Sequence, residues 1–230
     1  MWQSLMEDRG FGSKNPEDEP KRKFPPALAP GPLLASSMVE GATPPFAGAA
    51  LVSVVIPNRN RRLLLERALH SVLHQSYANL EIIVIDDGST DSSLHMVKSL
   101  GDPRLRWCAN ERPRGAGHSR HLGAGLAKGR FISFLDSDDY WMHDKLWVQL
   151  QAIEALGENN VVVIGPPVCD DGFELSEVSQ PVLAPSQPIA HYVYTGRQAT
   201  VLSSCLLLDG DFGRSVRFDP DLRVNQDTDY

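Results

Sequence analysis

Three carboxylates within four residues, Asp136, Asp138 and Asp139, follow directly on the apolar run Phe131-Ile132-Ser133-Phe134-Leu135. A buried strand that delivers like charges into its own end creates a cluster that repels itself unless a cation joins it. Two unit charges about 4 Å apart interact by roughly 4 kcal/mol at an effective dielectric of 20. Hard oxygen donors of this kind suit Mg²⁺ or Mn²⁺, which usually bind through one or two carboxylates and complete their shell with substrate phosphates. The competing reading is an acidic turn that caps the following helix at Asp139 or Asp144.

Two more polar clusters stand in equivalent places. Pro57-Asn58-Arg59-Asn60 follows Val52–Ile56, and Asp86-Asp87-Gly88-Ser89 follows Glu81–Ile85. In open parallel sheets, ligands bind outside the carboxyl ends of the strands, so three polar strand ends predict a single site lined by all of them. Taken alone, Asp86 and Asp87 also read as turn or cap residues, helped by Gly88.

The elements that must position these residues alternate in type. Short, largely apolar runs (52–57, 81–85, 131–135, 161–164) read as buried strands, with a further strand over 104–108. Between them, Leu65, Ala68, Leu69, Val72 and Leu73 repeat at helical spacing, and helices are expected near 92–100, 115–128 and 143–156. Strands without alternation, separated by amphipathic helices, predict an α/β fold whose mostly parallel sheet is covered on both faces. After a loose Pro-, Ser- and Gln-rich stretch over 166–199, the apolar segment 201–208 is expected to pack back onto the sheet. Residues 1–50 hold eight of the 17 prolines and no sustained period, and are expected to form a flexible tail ahead of a domain over 51–230.

Composition narrows the function. The 230 residues are 42% hydrophobic and 22% charged, with a net charge of −7, which provides no basic footprint for nucleic acid. Cys108, Cys169 and Cys205 are odd in number and lack CxxC spacing, indicating a reducing compartment rather than disulfides or zinc. No apolar stretch reaches the roughly 18 residues that a membrane span needs.

The succession VSVVIPNRNR, SVLHQSYANLEIIVIDDGSTD and NERPRGAGHSRHLGAGLAKGRFISFLDSDDYW resembles family 2 glycosyltransferases of the GT-A (Rossmann-like) fold, closely over about residues 51–150 and more loosely to Tyr230. The resemblance implies a nucleotide-binding part over 51–140 and an acceptor-side part over 141–230. It places Pro57, Asn58, Asn60 and Asp86 around the nucleotide, with Asp86 on the base, Arg120 close by, and the family's DxD motif at Asp136 and Asp138. Asp138 would be the direct ligand of Mn²⁺ or Mg²⁺, and Asp136 its partner. Asp227, in Gln226-Asp227-Thr228-Asp229, matches the family's acceptor-side base, with Asp229 as fallback. The implied reaction is inverting transfer of a sugar from a nucleotide diphosphate sugar, UDP-linked by expectation, to a hydroxyl of a glycan or lipid-linked acceptor, as in polysaccharide biosynthesis. A cytoplasmic location follows, and a lipid-linked acceptor is compatible with peripheral association at the inner face of the membrane.

The chain also departs from the family pattern. Asn58 and Arg59 stand where a small hydroxyl residue and an aromatic are common, and the sequence stops three residues after Asp227, which suggests an incomplete acceptor side. A non-catalytic nucleotide-binding module is therefore the alternative function. Gly115-Ala116-Gly117 does not make a dinucleotide loop, because the third glycine of GxGxxG would fall at Arg120. A phosphohydrolase using Asp136 as nucleophile would be expected to carry its acidic motif on the first strand, which has none.

Overall fold

The computed structural model describes residues 44–157, 162–165, 168–170, 175–177 and 202–215. Asp227 and Asp229 lie outside these residues, as do residues 1–43 of the expected tail. The elements in chain order are a 3₁₀ turn (Pro45–Gly48), β1 (Val52–Asn58), α1 (Arg62–Leu73), β2 (Leu80–Asp86), α2 (Ser93–Ser99), β3 (Leu105–Ala109), α3 (Ala116–Leu126), β4 (Phe131–Phe134), α4 (Lys145–Leu156), β5 (Val162–Ile164), β6 (Val168–Asp170), β7 (Leu175–Glu177), a 3₁₀ turn (Ser203–Cys205), β8 (Leu206–Asp209) and α5 (Gly210–Ser215).

The main sheet runs β3-β2-β1-β4-β8-β5, and β6 pairs with β7 separately. Four neighbouring strands, β3, β2, β1 and β4, are parallel, as their unbroken apolar runs require. The segment over 201–208 does return to the sheet, and it does so as β8, inserted antiparallel between β4 and β5.

Both faces are covered. Val52, Val54, Ile56, Ile82 and Val84 bury one face under α1, α2 and α4, through Leu65, Leu69, Met96, Leu146 and Leu150 among others. Val55, Ile83, Ile85, Ile132 and Phe134 bury the other under Ala124 and Ala127 of α3 and its end. Packing also extends ahead of Leu51. Phe46 lies 5.3 Å from the ring of Phe131 and its backbone N–H donates to Glu154, while the Tyr77 hydroxyl holds the carbonyl of the buried Ala50. Among the described residues no helix is long and apolar enough to cross a membrane.

Two sequence details explain how the sheet reaches the site intact. Parallel ladders bond alternate residues to each neighbour. Pro57, which has no N–H to give, faces the side where β4 has already left the ladder, the last such bond being Leu135 N–H to Val55 O at 3.0 Å. Close approach of α3 to β1 depends on Gly123, where an added Cβ would lie 2.2 Å from Cγ1 of Val55, a stiff β-branched side chain.

A buried polar knot fastens α4 beneath the β4–β8 junction. Lys145 donates to Oε1 of Gln149 at 2.8 Å and to Oγ of Ser133 at 3.3 Å, and its ammonium lies 4.0 Å from the Trp141 ring centroid. Gln149 in turn donates to the Cys205 carbonyl at 2.9 Å. Burial pushes the Lys145 ammonium down to about 7 from 10.5.

Two outcomes are expected. Gly123→Ala should destabilise the fold by about 1–3 kcal/mol, because the contact is overpacked, and chemical denaturation measures it. Between pH 7 and 10.5 the unfolded chain binds a proton at Lys145 that the folded chain lacks, so this group's contribution to stability rises with pH across that window and is constant below it. Unfolding midpoints of the wild type and of Lys145→Met should therefore differ in their pH slope, the wild type gaining on the variant from pH 7 to 9.5. A pH-independent difference would contradict the depressed ammonium.

Candidate functional site

The three polar strand ends meet at one edge of the sheet. Register sets Asn58 opposite Asp86 on β2. On the other side Val55 pairs with Phe134, which puts Pro57 level with Asp136 two residues further on. The Asn58 amide donates to Asp86 Oδ1 and to Ser89 Oγ, both at 3.3 Å, and the Ser89 N–H returns to Asp86 Oδ2 at 3.1 Å. Ser89 Oγ also accepts the Asn60 N–H at 2.9 Å, while Asn60 Oδ1 accepts the Thr90 N–H at 2.8 Å. Asn60 adopts φ 52°, a left-handed conformation that asparagine tolerates better than most residues. Asp86 is 3% exposed, and each of its oxygens keeps a further lone pair for a ligand. Asn58 Oδ1 is buried and accepts no hydrogen bond among the described residues.

Asp87 faces the other way and organises the chain behind the site. Its Oδ1 accepts from the Asn110 amide (2.7 Å) and the Arg114 N–H (2.8 Å), and its Oδ2 from the Gly115 N–H (2.8 Å). This carboxylate thus fixes the loop that leads into α3, which accounts for a buried acid beside a turn glycine, Gly88 at φ 71°. The Gly115 N–H that a dinucleotide loop would offer to phosphate is already committed. One turn into α3, Arg120 projects inwards, 3% exposed, and donates to Asp136 Oδ1 at 2.6 Å.

The acidic turn is held from several directions. Asp136 Oδ2 accepts from Ser203 Oγ at 3.2 Å, its N–H donates to Ser204 Oγ at 3.0 Å, and Ser204 Oγ donates to Asp139 Oδ2 at 2.5 Å. The Asp139 N–H closes the turn onto the Asp136 carbonyl at 3.0 Å. Asp138 projects outward. Its carboxylate is 45% exposed and pairs with Arg61, itself 48% exposed, at 2.7 Å, while Arg67 holds its carbonyl at 2.6 Å. Beside it the Tyr140 hydroxyl donates to Asp170 at 2.7 Å. Burial and the Asp170 carboxylate push that phenol up to about 12.

Pro57, Asn58, Asn60, Asp86, Arg120, Asp136 and Asp138 therefore share one sheet edge. The helix-capping alternative loses ground, because Asp144 stands at the start of α4 without a side-chain capping bond. Among the described residues no group of three His, Cys, Asp or Glu could hold a metal alone. Two carboxylates on one turn, one of them open to solvent, still make a hard-oxygen donor set that fits a divalent cation whose remaining ligands come from phosphate and water. Sequence reasoning placed Ser89 in a polar strand end but missed the loop-fixing role of Asp87, the Arg61 and Arg67 contacts, and Ser203 and Ser204. Only Asp87 and the serine pair ahead of the apolar run over 205–208 carried a visible signal.

Comparison with known proteins is consistent with this geometry. Residues 53–209 match the family described as Glycosyl transferase family 2. The chain is 40% identical over 111 residues to UDP-Glc:alpha-D-GlcNAc-diphosphoundecaprenol beta-1,3-glucosyltransferase WfgD of Escherichia coli, a match covering 48% of this chain and 43% of WfgD. It thus spans less than half the length of such curated relatives. Among solved structures, Staphylococcus aureus TarS 1-349 in complex with UDP superposes with a TM-score of 0.64 at 23% identity, covering 77% of this chain and 52% of that one. The mannosyltransferase PcManGT of Pyrobaculum calidifontis, in complex with GDP-Man and Mn²⁺, gives 0.56 at 19% identity, covering 82% and 51%. The architecture is the GT-A one that the motif resemblance implied, and the chain belongs to glycosyl transferase family 2.

Proposed function

We propose that this domain binds a nucleotide diphosphate sugar, UDP-linked, and supports inverting transfer of the sugar to a hydroxyl of a glycan or lipid-linked acceptor. The observation that carries this reading is the continuous polar edge in which Asp86, Asn58 and Asp136 stand at three adjacent strand ends, with Arg120 of α3 paired to Asp136, and Asp138 on the same turn as Asp136. The names of relatives agree with it: WfgD is described as acting on UDP-Glc with a diphosphoundecaprenol acceptor, and TarS has been crystallised with UDP.

Each residue has work that its placement supports. Asp86, buried and steadied by Asn58 and Ser89, is disposed to accept the imide N–H of a pyrimidine. Pro57, Asn58 and Asn60 shape the floor beside it. Arg120 holds Asp136 in place and contributes positive charge where phosphates would lie. Asp138, with Asp136 beside it, would hold Mn²⁺ or Mg²⁺, whose positive charge would offset the negative charge that develops on the departing diphosphate. Asp227, outside the described residues, would take the proton of the attacking hydroxyl, whose oxygen would bond the sugar's anomeric carbon on the face opposite the diphosphate as the bond to that diphosphate breaks. A cytoplasmic site, with acceptor contacts at the inner face of a membrane, fits a lipid-linked acceptor. We also assign residues 51–140 to donor binding, residues 141–230 to the acceptor side, and the Pro-rich residues 1–43 to a tail, residues 44–50 being packed against the domain.

Titration calorimetry with UDP, with and without Mn²⁺, tests the donor site. Asp138→Ala should weaken Mn²⁺-dependent UDP binding by about tenfold or more, equivalent to roughly 1.4 kcal/mol. An unchanged Mn²⁺ dependence would remove Asp138 from the ligand set. Asp227→Asn should leave UDP binding intact while lowering transfer or sugar-nucleotide hydrolysis by about 10²–10⁴-fold, as expected for loss of a general base. An active variant would move the base to Asp229 or elsewhere. Nucleotide binding without any turnover in the wild type would favour the non-catalytic binding module.

A further inference from the structure

The acidic turn of β4 is gripped by a segment 67 residues further along the chain. Antiparallel pairing of β8 with β4 sets Leu207 opposite Ser133, so continuing the register places Ser204 level with Asp136. The start of an antiparallel strand lies at the sheet edge where the parallel strands end. The turn over Ser203–Cys205 therefore meets the acidic turn directly. Ser203 and Ser204 are 1% and 6% exposed.

Each hydroxyl has a separate task. Ser203 Oγ donates to Asp136 Oδ2 and, with Arg120 on Oδ1, engages both oxygens of that carboxylate. Ser204 Oγ accepts the Asp136 N–H and donates to Asp139 Oδ2, a double role that a hydroxyl can fill and a methyl cannot. The serine pair is itself anchored. The Ser204 carbonyl accepts the Trp141 indole N–H at 2.8 Å, and the Cys205 carbonyl accepts from Gln149 at 2.9 Å and from the Gly165 N–H at 3.0 Å. Ser133 Oγ donates to the Leu206 carbonyl. Two of the three carboxylates, Asp136 and Asp139, are thus turned inward onto hydroxyls, and Asp138 is left as the one that projects outward.

We propose that Ser203 and Ser204 are positioning residues for the cation and diphosphate end of the donor site, setting how readily Asp138 receives a divalent cation. The inference rests on the donor-site reading given above. It predicts that loss of either hydroxyl raises the cation requirement of nucleotide binding more than it disturbs metal-free nucleotide binding or the fold.

The probe is UDP, titrated into the full chain at a series of Mn²⁺ concentrations, with melting temperature followed in parallel. Ser204→Ala should raise the Mn²⁺ concentration for half-maximal UDP binding by about tenfold, the effect of one hydrogen bond to a charged group. Metal-free UDP binding should be unchanged, and Ser204→Thr, which keeps the hydroxyl, should restore most of the loss. Ser203→Ala, which removes a single bond, should shift the requirement in the same direction and covers the case in which Ser204→Ala does not fold. An unchanged Mn²⁺ requirement in a folded variant would overturn the proposal. So would a loss that appears equally without metal and is not rescued by threonine, because that is the signature of a purely structural role. Wild-type chain that shows no Mn²⁺-dependent UDP binding would overturn the donor-site reading itself, whereas wild-type binding with indifferent serine variants would overturn the positioning role alone.

Discussion

A guanidinium that is almost wholly out of water, Arg120, is matched to the carboxylate of Asp136, and much of the site follows from that pairing. Breaking a buried ion pair by removing one partner costs about 3–5 kcal/mol, so the surrounding structure must deliver both charges to the same place. Delivering Arg120 requires α3 to sit tightly on β1 and β2, which Gly123 permits by offering no side chain to Val55. It also requires the loop before α3 to have a fixed path, which Asp87 provides by accepting three hydrogen bonds from Asn110, Arg114 and Gly115. The second acid of the Asp86-Asp87 pair thus organises the chain that satisfies the first acid of the next cluster.

The mixed sheet has a consequence for that same cluster. Four parallel strands bring their carboxyl ends to one edge, and an all-parallel continuation would have kept every strand beginning at the opposite edge. By running antiparallel, β8 brings its own beginning to the polar edge and places hydroxyls opposite Asp136. A small, neutral donor is well suited there. A lysine or arginine would neutralise the acidic turn, whereas a serine satisfies a buried oxygen and leaves the charge in place.

Much of this architecture was legible in the sequence. Largely apolar runs marked β1, β2 and β4 as buried on both faces, and the leucine and valine spacing over 65–73 marked α1, because these signals are local. From β1 to β5 the bounded strands and helices fall within two residues of those expected, α4 beginning at Lys145 rather than His143, whereas the apolar segment 201–208 forms a strand only over Leu206–Asp209. The polar strand ends were legible for the same reason: charge directly after an apolar run is visible without a partner. Partners across the chain were not. That Asp87 holds a loop 27 residues away, or that Ser204 answers Asp136, depends on register, and register is a property of the folded sheet rather than of any window of sequence. Lys145 shows the limit from the other side. Its ammonium lies over the Trp141 ring and between Ser133 and Gln149, a placement set by partners that no window of sequence brings together.

The two ion pairs at the acidic turn differ in a way that suits a donor site. The pair between Arg120, 3% exposed, and Asp136, 20% exposed, is largely enclosed and costly to disrupt, so it behaves as scaffold. The pair between Arg61 and Asp138 is about half exposed on both sides, a class of interaction worth about 0–1 kcal/mol and screened by salt. In the proposed donor site, an interaction that weak would yield to a divalent cation arriving with a diphosphate and would return when they leave. Asp138 is thus kept close to a positive charge without being committed to it, whereas Asp136, Asp139, Asp86 and Asp87 are fixed by hydrogen bonds from the fold. Preorganisation is concentrated on the side facing the protein, and exchangeability on the single carboxylate facing the solvent. The proposed donor, which would bind, react and depart in every turnover, needs that division.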